Sequence, residues 1–174
     1  MRVGAAISLA GLLWAVAGPA LADEPRGCDK FKWPVAREQA ALVAPDLPRL
    51  ASGAQRSAGP DAFAVALTAP AAARLPMPPE RAAKQGPDQS GFINFAAPAE
   101  AGTYEVVLSA GVWVDVVQGG AYLKPLAFSG ALDCAGVRKL LRFEIAPSPF
   151  ILQISGATAD SLKLIVEPVS DAAK

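Results

Sequence analysis

Histidine is absent from all 174 residues of this chain. It is the commonest metal ligand and the usual general base near neutral pH, so its absence excludes Ser-His-Asp and Cys-His nucleophile arrangements, His-liganded zinc and the two-His-one-carboxylate iron site. What composition leaves open is carboxylate-pair chemistry, a Ser-Lys nucleophile or an oxygen-only calcium site. Cysteine is nearly as scarce: Cys28 and Cys134 are the only two, and without a Cys-x-x-Cys spacing they do not read as a redox pair. Aromatic residues make up only 7% of the chain, which restricts any stacking surface to a few positions. Net charge is missing as well. Sixteen basic residues balance sixteen acidic ones, with no basic cluster, so neither nucleic acid nor an anionic membrane is an expected partner. No cofactor is expected.

The long apolar run that does occur opens the chain. Arg2 supplies a charged start, residues Gly4 to Gly18 an apolar stretch too short to span a bilayer comfortably, and Ala20-Leu21-Ala22 a small-x-small cleavage site. Residues 1–22 therefore read as a signal peptide, and the mature protein, starting at Asp23, as periplasmic or secreted with no membrane insertion after cleavage. Loss of Arg2 leaves fifteen basic against sixteen acidic residues. In an oxidising compartment Cys28 and Cys134 are expected to form a structural disulfide, and closing a loop of about 100 residues is worth on the order of 4–5 kcal/mol in the chain-entropy model.

The mature chain divides into an N-terminal helical segment and linker over 23–60 and one β-domain over 61–170. Pro34 suits a first helical position and Pro45 forbids continuation, so a short helix is expected between them, with Val35, Leu42 and Val43 as its apolar stripe and Phe31 and Trp33 packing just before it. Residues 45–60 and 69–90 are rich in Pro, Ser, Gly and Ala and read as extended connections, the second containing Leu75-Pro76-Met77-Pro78-Pro79. Short apolar or alternating runs follow at 62–68, 92–96, 103–108, 112–118, 126–128, 140–145, 150–155 and 162–167, punctuated by Gly, Pro, Ser and Asp. That spacing predicts an all-β fold: an antiparallel β-sandwich, jelly-roll-like, with a short N-terminal helix.

The block Gly102-Thr103-Tyr104 to Ser109, Trp113-Val114-Asp115, Lys139 to Ile145 and Leu152-Gln153-Ile154-Ser155-Gly156 resembles the prepeptidase C-terminal type of secreted bacterial β-sandwich over roughly residues 61–167. The resemblance implies an accessory, non-catalytic module. The stretch from Cys28 through Trp33-Pro34-Val35 to Glu38 is similar to the mature start of a group of small exported proteobacterial proteins, some of which carry the label homogentisate 1,2-dioxygenase. That activity uses an iron held by histidine, and this chain has none.

Two constellations carry candidate function. A hairpin with Ser109-Ala110-Gly111 as its loop would pair Leu108 with Val112 and set Glu105 opposite Asp115, beside Trp113. Like charges opposed on a sheet are destabilising. The pair could bind a cation or supply the acid and base of a glycosidase-like hydrolase; alternatively, Arg142 or Lys163 on a neighbouring strand stands between them as a counter-ion. The second constellation is aromatic. Trp33, Trp113, Tyr104 and Tyr122 are residue types that stack on sugars or anchor a protein when exposed, with Trp113 and Tyr122 the expected ligand-binding positions. The expectation is an exported binding module, not an enzyme, whose partner is an envelope carbohydrate or a periplasmic protein.

Overall fold

A computed structural model describes residues 24–81 and 88–169. The expected signal peptide, and residues 82–87 of the second extended connection, lie outside that range. The chain forms a β-sandwich of two sheets with a short helix near its N-terminal end. A 3-10 turn at Cys28–Lys30 and helix α1 (Ala36–Leu42) come first, then strands β1 (Arg49–Leu50), β2 (Gln55–Arg56) and β3 (Gly59–Ala66), and a single helical turn α2 (Pro70–Ala73). Strands β4 (Gln89–Phe95), β5 (Gly102–Leu108), β6 (Trp113–Gln118), β7 (Ala121–Leu123), β8 (Ala127–Gly130), β9 (Lys139–Ile145), β10 (Phe150–Ala157) and β11 (Ser161–Pro168) complete it.

One sheet has six strands in the order β1-β3-β11-β5-β9-β8, the other five in the order β2-β4-β10-β6-β7. Pairing is antiparallel except at one edge of each sheet, where the two-residue strands β1 and β2 run parallel to β3 and β4. The sandwich expected from the alternation is thus formed, with each alternating run sending one set of side chains inward. Phe63, Val65, Val106, Leu108, Leu141, Phe143, Leu162 and Leu164 from the six-stranded sheet meet Ile93, Phe95, Val114, Val116, Leu152 and Ile154 from the other in a continuous buried core. Phe95 and Phe150 stack there with ring centroids 4.8 Å apart. The β6–β7 hairpin turns on Gly119 and Gly120 at φ 61° and 78°, the left-handed pair that a two-residue turn demands.

The sequence reading placed β5 and β6 in one hairpin; they lie instead in different sheets. The four residues 109–112 between them carry the chain across the sandwich, because Leu108 and Val112 both insert into the inter-sheet core. A hairpin and a crossover satisfy the same inward alternation, so periodicity alone does not separate them.

A second apolar cluster sits on the outer face of the six-stranded sheet. Phe31, Val35 and Leu42 from the N-terminal segment cover Ala62, Val107, Leu140 and Ile165, with Ala131, Cys134 and Val137 alongside. Cys28 and Cys134 form the disulfide, their Cα atoms 4.8 Å apart and 106 residues distant in sequence. Polar fastenings add to it: Gly27 N–H donates to Leu132 O, Lys32 N–H to Ser129 Oγ, and Lys163 Nζ to the Leu42 carbonyl at the end of α1. The last bond satisfies a helix-terminal carbonyl with a cation.

Candidate functional site

Two polar constellations are built on the outer faces, and they divide the expected site residues between them. On the six-stranded sheet, Glu105 lies between Arg142 of β9 and Glu167 of β11, both its register partners. Glu105, Arg142 and Glu167 are all buried. Arg142 Nε donates to Glu105 Oε2 at 2.8 Å, and its guanidinium lies 3.7 Å from the centre of the Trp33 ring. Arg37 Nη2 on α1 bridges Glu38 Oε1 at 2.9 Å and Glu167 Oε1 at 2.7 Å. Burial pushes the Glu105 and Glu167 carboxyls above the ordinary range, against the pull of Arg142 on the first and Arg37 on the second. The opposed carboxylates expected at Glu105 therefore exist, but the partner is Glu167, and Asp115 belongs to the other sheet. Each is matched to an arginine, Glu105 to Arg142 of the sheet beneath the N-terminal segment and Glu167 to Arg37 on that segment. The cluster fastens that segment to the sheet.

The outer face of the five-stranded sheet carries the remaining candidates. Trp113, Asp115 and Val117 of β6 point away from the core; Gln153 of β10 stands opposite Asp115, and Tyr122 of β7 opposite Val117. The structure thus brings Trp113 and Tyr122 to one face, both partly exposed, whereas Tyr104 is buried in the core and Trp33 packs on Arg142. Across this face runs the proline-rich strap. Met77 N–H donates to Gln153 Oε1 at 2.8 Å while Gln153 Nε2 donates to Met77 O at 3.1 Å, so one side-chain amide satisfies both backbone groups of one residue. Tyr122 O–H donates to the Pro78 carbonyl. Glu80 N–H donates to Asp115 Oδ2 at 3.3 Å, and Lys124 Nζ meets Glu80 Oε1 at 2.5 Å.

Asp115 is only 3% exposed, and its Oδ1 accepts the Trp113 indole N–H at 2.7 Å. Burial raises its carboxyl above the ordinary aspartate range even so. The Trp113 ring lies 5.5 Å from the Arg81 guanidinium and 5.7 Å from Lys139 Nζ, and burial lowers the Lys139 ammonium. Two clefts flank Met77. One of about 430 Å³ lies between Pro70, Leu75, Pro79 and Ser155, the other of about 350 Å³ between Asn94, Val117, Gly120 and Ile151.

Comparison with protein-family models, curated proteins and solved structures returns no match to this chain. No group of three metal-ligating side chains occurs among the described residues, and none of their buried side-chain nitrogens or oxygens is left without a hydrogen-bond partner. Sequence reasoning singled out Trp113 and Tyr122 and read 69–90 as an extended connection, but missed Gln153 and the docking of that connection on this face. A lone glutamine on the outward set of an otherwise apolar strand was the available signal: alternation keeps it out of the core, and its amide, 1% exposed in the structure, needs a polar partner from whatever covers that face.

Proposed function

We propose that the protein is an exported, non-enzymatic interaction module whose binding surface is the outer face of the five-stranded sheet, and that it takes a protein rather than a carbohydrate. The observation that carries this is the way Gln153, Tyr122 and Asp115 address the strap: all three hydrogen-bond its backbone. Such contacts suit a polypeptide, whereas a sugar-binding face would present the flat side of Trp113 unencumbered. Export is supported by the Arg2-led apolar stretch ending in Ala22 and by the disulfide, a bond that persists in oxidising compartments. No helix among the described residues is long and apolar enough to cross a membrane.

Two measurements test this. N-terminal sequencing of the protein recovered from an expressing cell's periplasm is expected to start at Asp23. Amide chemical shifts recorded against envelope extracts and against a glycan panel are expected to move around Trp113, Tyr122 and Gln153 with the protein fraction alone. Movement with glycans, or confined to the six-stranded sheet, overturns the reading.

A further inference from the structure

The two outer faces of the sandwich are both crossed by a segment of the chain, and the two segments are held in opposite ways. The N-terminal one is clamped by a disulfide and sinks Phe31, Val35 and Leu42 into an apolar cluster. Of residues 70–81, only Ala73 is buried; Pro76, Pro78 and Pro79 are exposed, and polar attachment to the sheet comes from the paired Gln153–Met77 bonds, one bond each from Tyr122 and Asp115, the Lys124–Glu80 pair and Arg81 over the Trp113 ring. A contact of that kind has little apolar burial to hold it.

The segment is also shaped in advance. Prolines fix φ at 76, 78 and 79, and Leu75, Met77 and Pro78, each preceding a proline, are driven to extended or polyproline-II backbone. A preformed polyproline-II chain costs little entropy to bind, and aromatic hydroxyl or indole donors reading its carbonyls are how such chains are recognised.

From this we infer that the strap occupies its own binding groove as an internal ligand, and that the groove's partner is a proline-rich extended segment of another polypeptide, which displaces it. This rests on the face being the binding surface. The geometry dictates the sequence recognised. Gln153 Oε1 requires an N–H, so the central residue is not proline; Tyr122 reads the carbonyl of the following proline; Lys124 asks for an acidic residue two positions further on. The motif is Pro-x-Pro-Pro-acid, with x bearing an N–H.

The test uses a synthetic peptide covering Arg74 to Arg81, titrated into the disulfide-bonded protein carrying Pro76→Gly and Pro79→Gly, with the Trp113 indole N–H resonance as readout. Saturable binding is expected, at least about tenfold tighter than to the unmodified protein, because a tethered competitor acts at an effective concentration on the order of millimolar. A peptide with proline in place of its methionine is expected not to bind. The unmodified protein gives an independent reading: excess peptide should speed hydrogen exchange at the Met77 amide. The inference is overturned if neither form responds to the peptide, if the methionine-to-proline peptide binds equally, or if sedimentation shows the unmodified chain pairing with a second copy through its strap. If the peptide fails while Tyr122→Phe still abolishes the shifts seen with the protein fraction, the inference falls and the binding face stands; if shifts never involve this face, both fall.

Discussion

Glu105 and Glu167 stand directly opposite one another on adjacent strands, two buried carboxylates whose repulsion is offset by Arg142 on one side and Arg37 on the other. The two counter-ions are not equivalent. Arg142 is buried against Trp33, whereas the Arg37 side chain is 68% exposed. Removing a buried partner leaves an uncompensated charge, a loss of about 3–5 kcal/mol, while an exposed ion pair contributes at most about 1 kcal/mol. Arg142→Ala is therefore expected to lower stability by several kcal/mol and Arg37→Ala by about 1 kcal/mol or less; denaturant midpoints measure both.

Acidity should stabilise this protein before it unfolds it. Glu105, Glu167 and Asp115 all have carboxyls raised above the ordinary range by burial. In the window between the ordinary value and the raised one, the folded state holds more protons than the unfolded state, so stability rises as pH falls through that window and is fully regained at the ordinary carboxyl range. The melting temperature is expected to be higher at mildly acidic than at neutral pH, and the gain to shrink in Glu167→Gln. A melting temperature falling monotonically from neutral pH would contradict this account.

How far the fold was legible follows from what each residue's partner requires. Alternation located the eight longer strands, because an inward apolar set repeats every second residue whichever sheet the strand joins. It was silent on β1, β2 and β7, strands of two or three residues with no room for a period. It was equally silent on sheet membership, which is why Glu105 was given Asp115 as its opposite. The aromatic positions were legible as residue types, but Gln153 acquires its meaning only when Met77, 76 residues earlier, arrives above it.

Reduction should act on the N-terminal segment first. Losing a cross-link that closes a loop of this size removes about 4–5 kcal/mol by the chain-entropy account, and without it the segment is held by the Phe31, Val35 and Leu42 contacts and the charge cluster. Limited proteolysis of the reduced protein is expected to cut between Phe31 and Val43 before any strand of the sandwich; equal resistance of the oxidised and reduced forms would count against this.

Gly136 sits at φ 78°, and a Cβ there would approach Val43 Cγ1 to 2.7 Å. A left-handed backbone costs an L-residue about 1–2 kcal/mol before any clash. Gly136→Ala is expected to lose at least that much, whereas Gly59→Ala, with open space around its Cβ, should be neutral or mildly stabilising. Thermal melts of the two variants compare them directly.

The place of β11 in the six-stranded sheet has a kinetic meaning. It is the last of the described strands in sequence order, yet it alone joins β1 and β3 to β5, β9 and β8. A polypeptide emerging N-terminus first therefore holds two unconnected half-sheets, each with an open edge, until residues 161–168 arrive. Such non-local closure is slow and leaves strands exposed to wrong pairing meanwhile. The six-stranded sheet is stitched together by β11, so the chain's vulnerability to aggregation is concentrated in the interval before residues 161–168 appear.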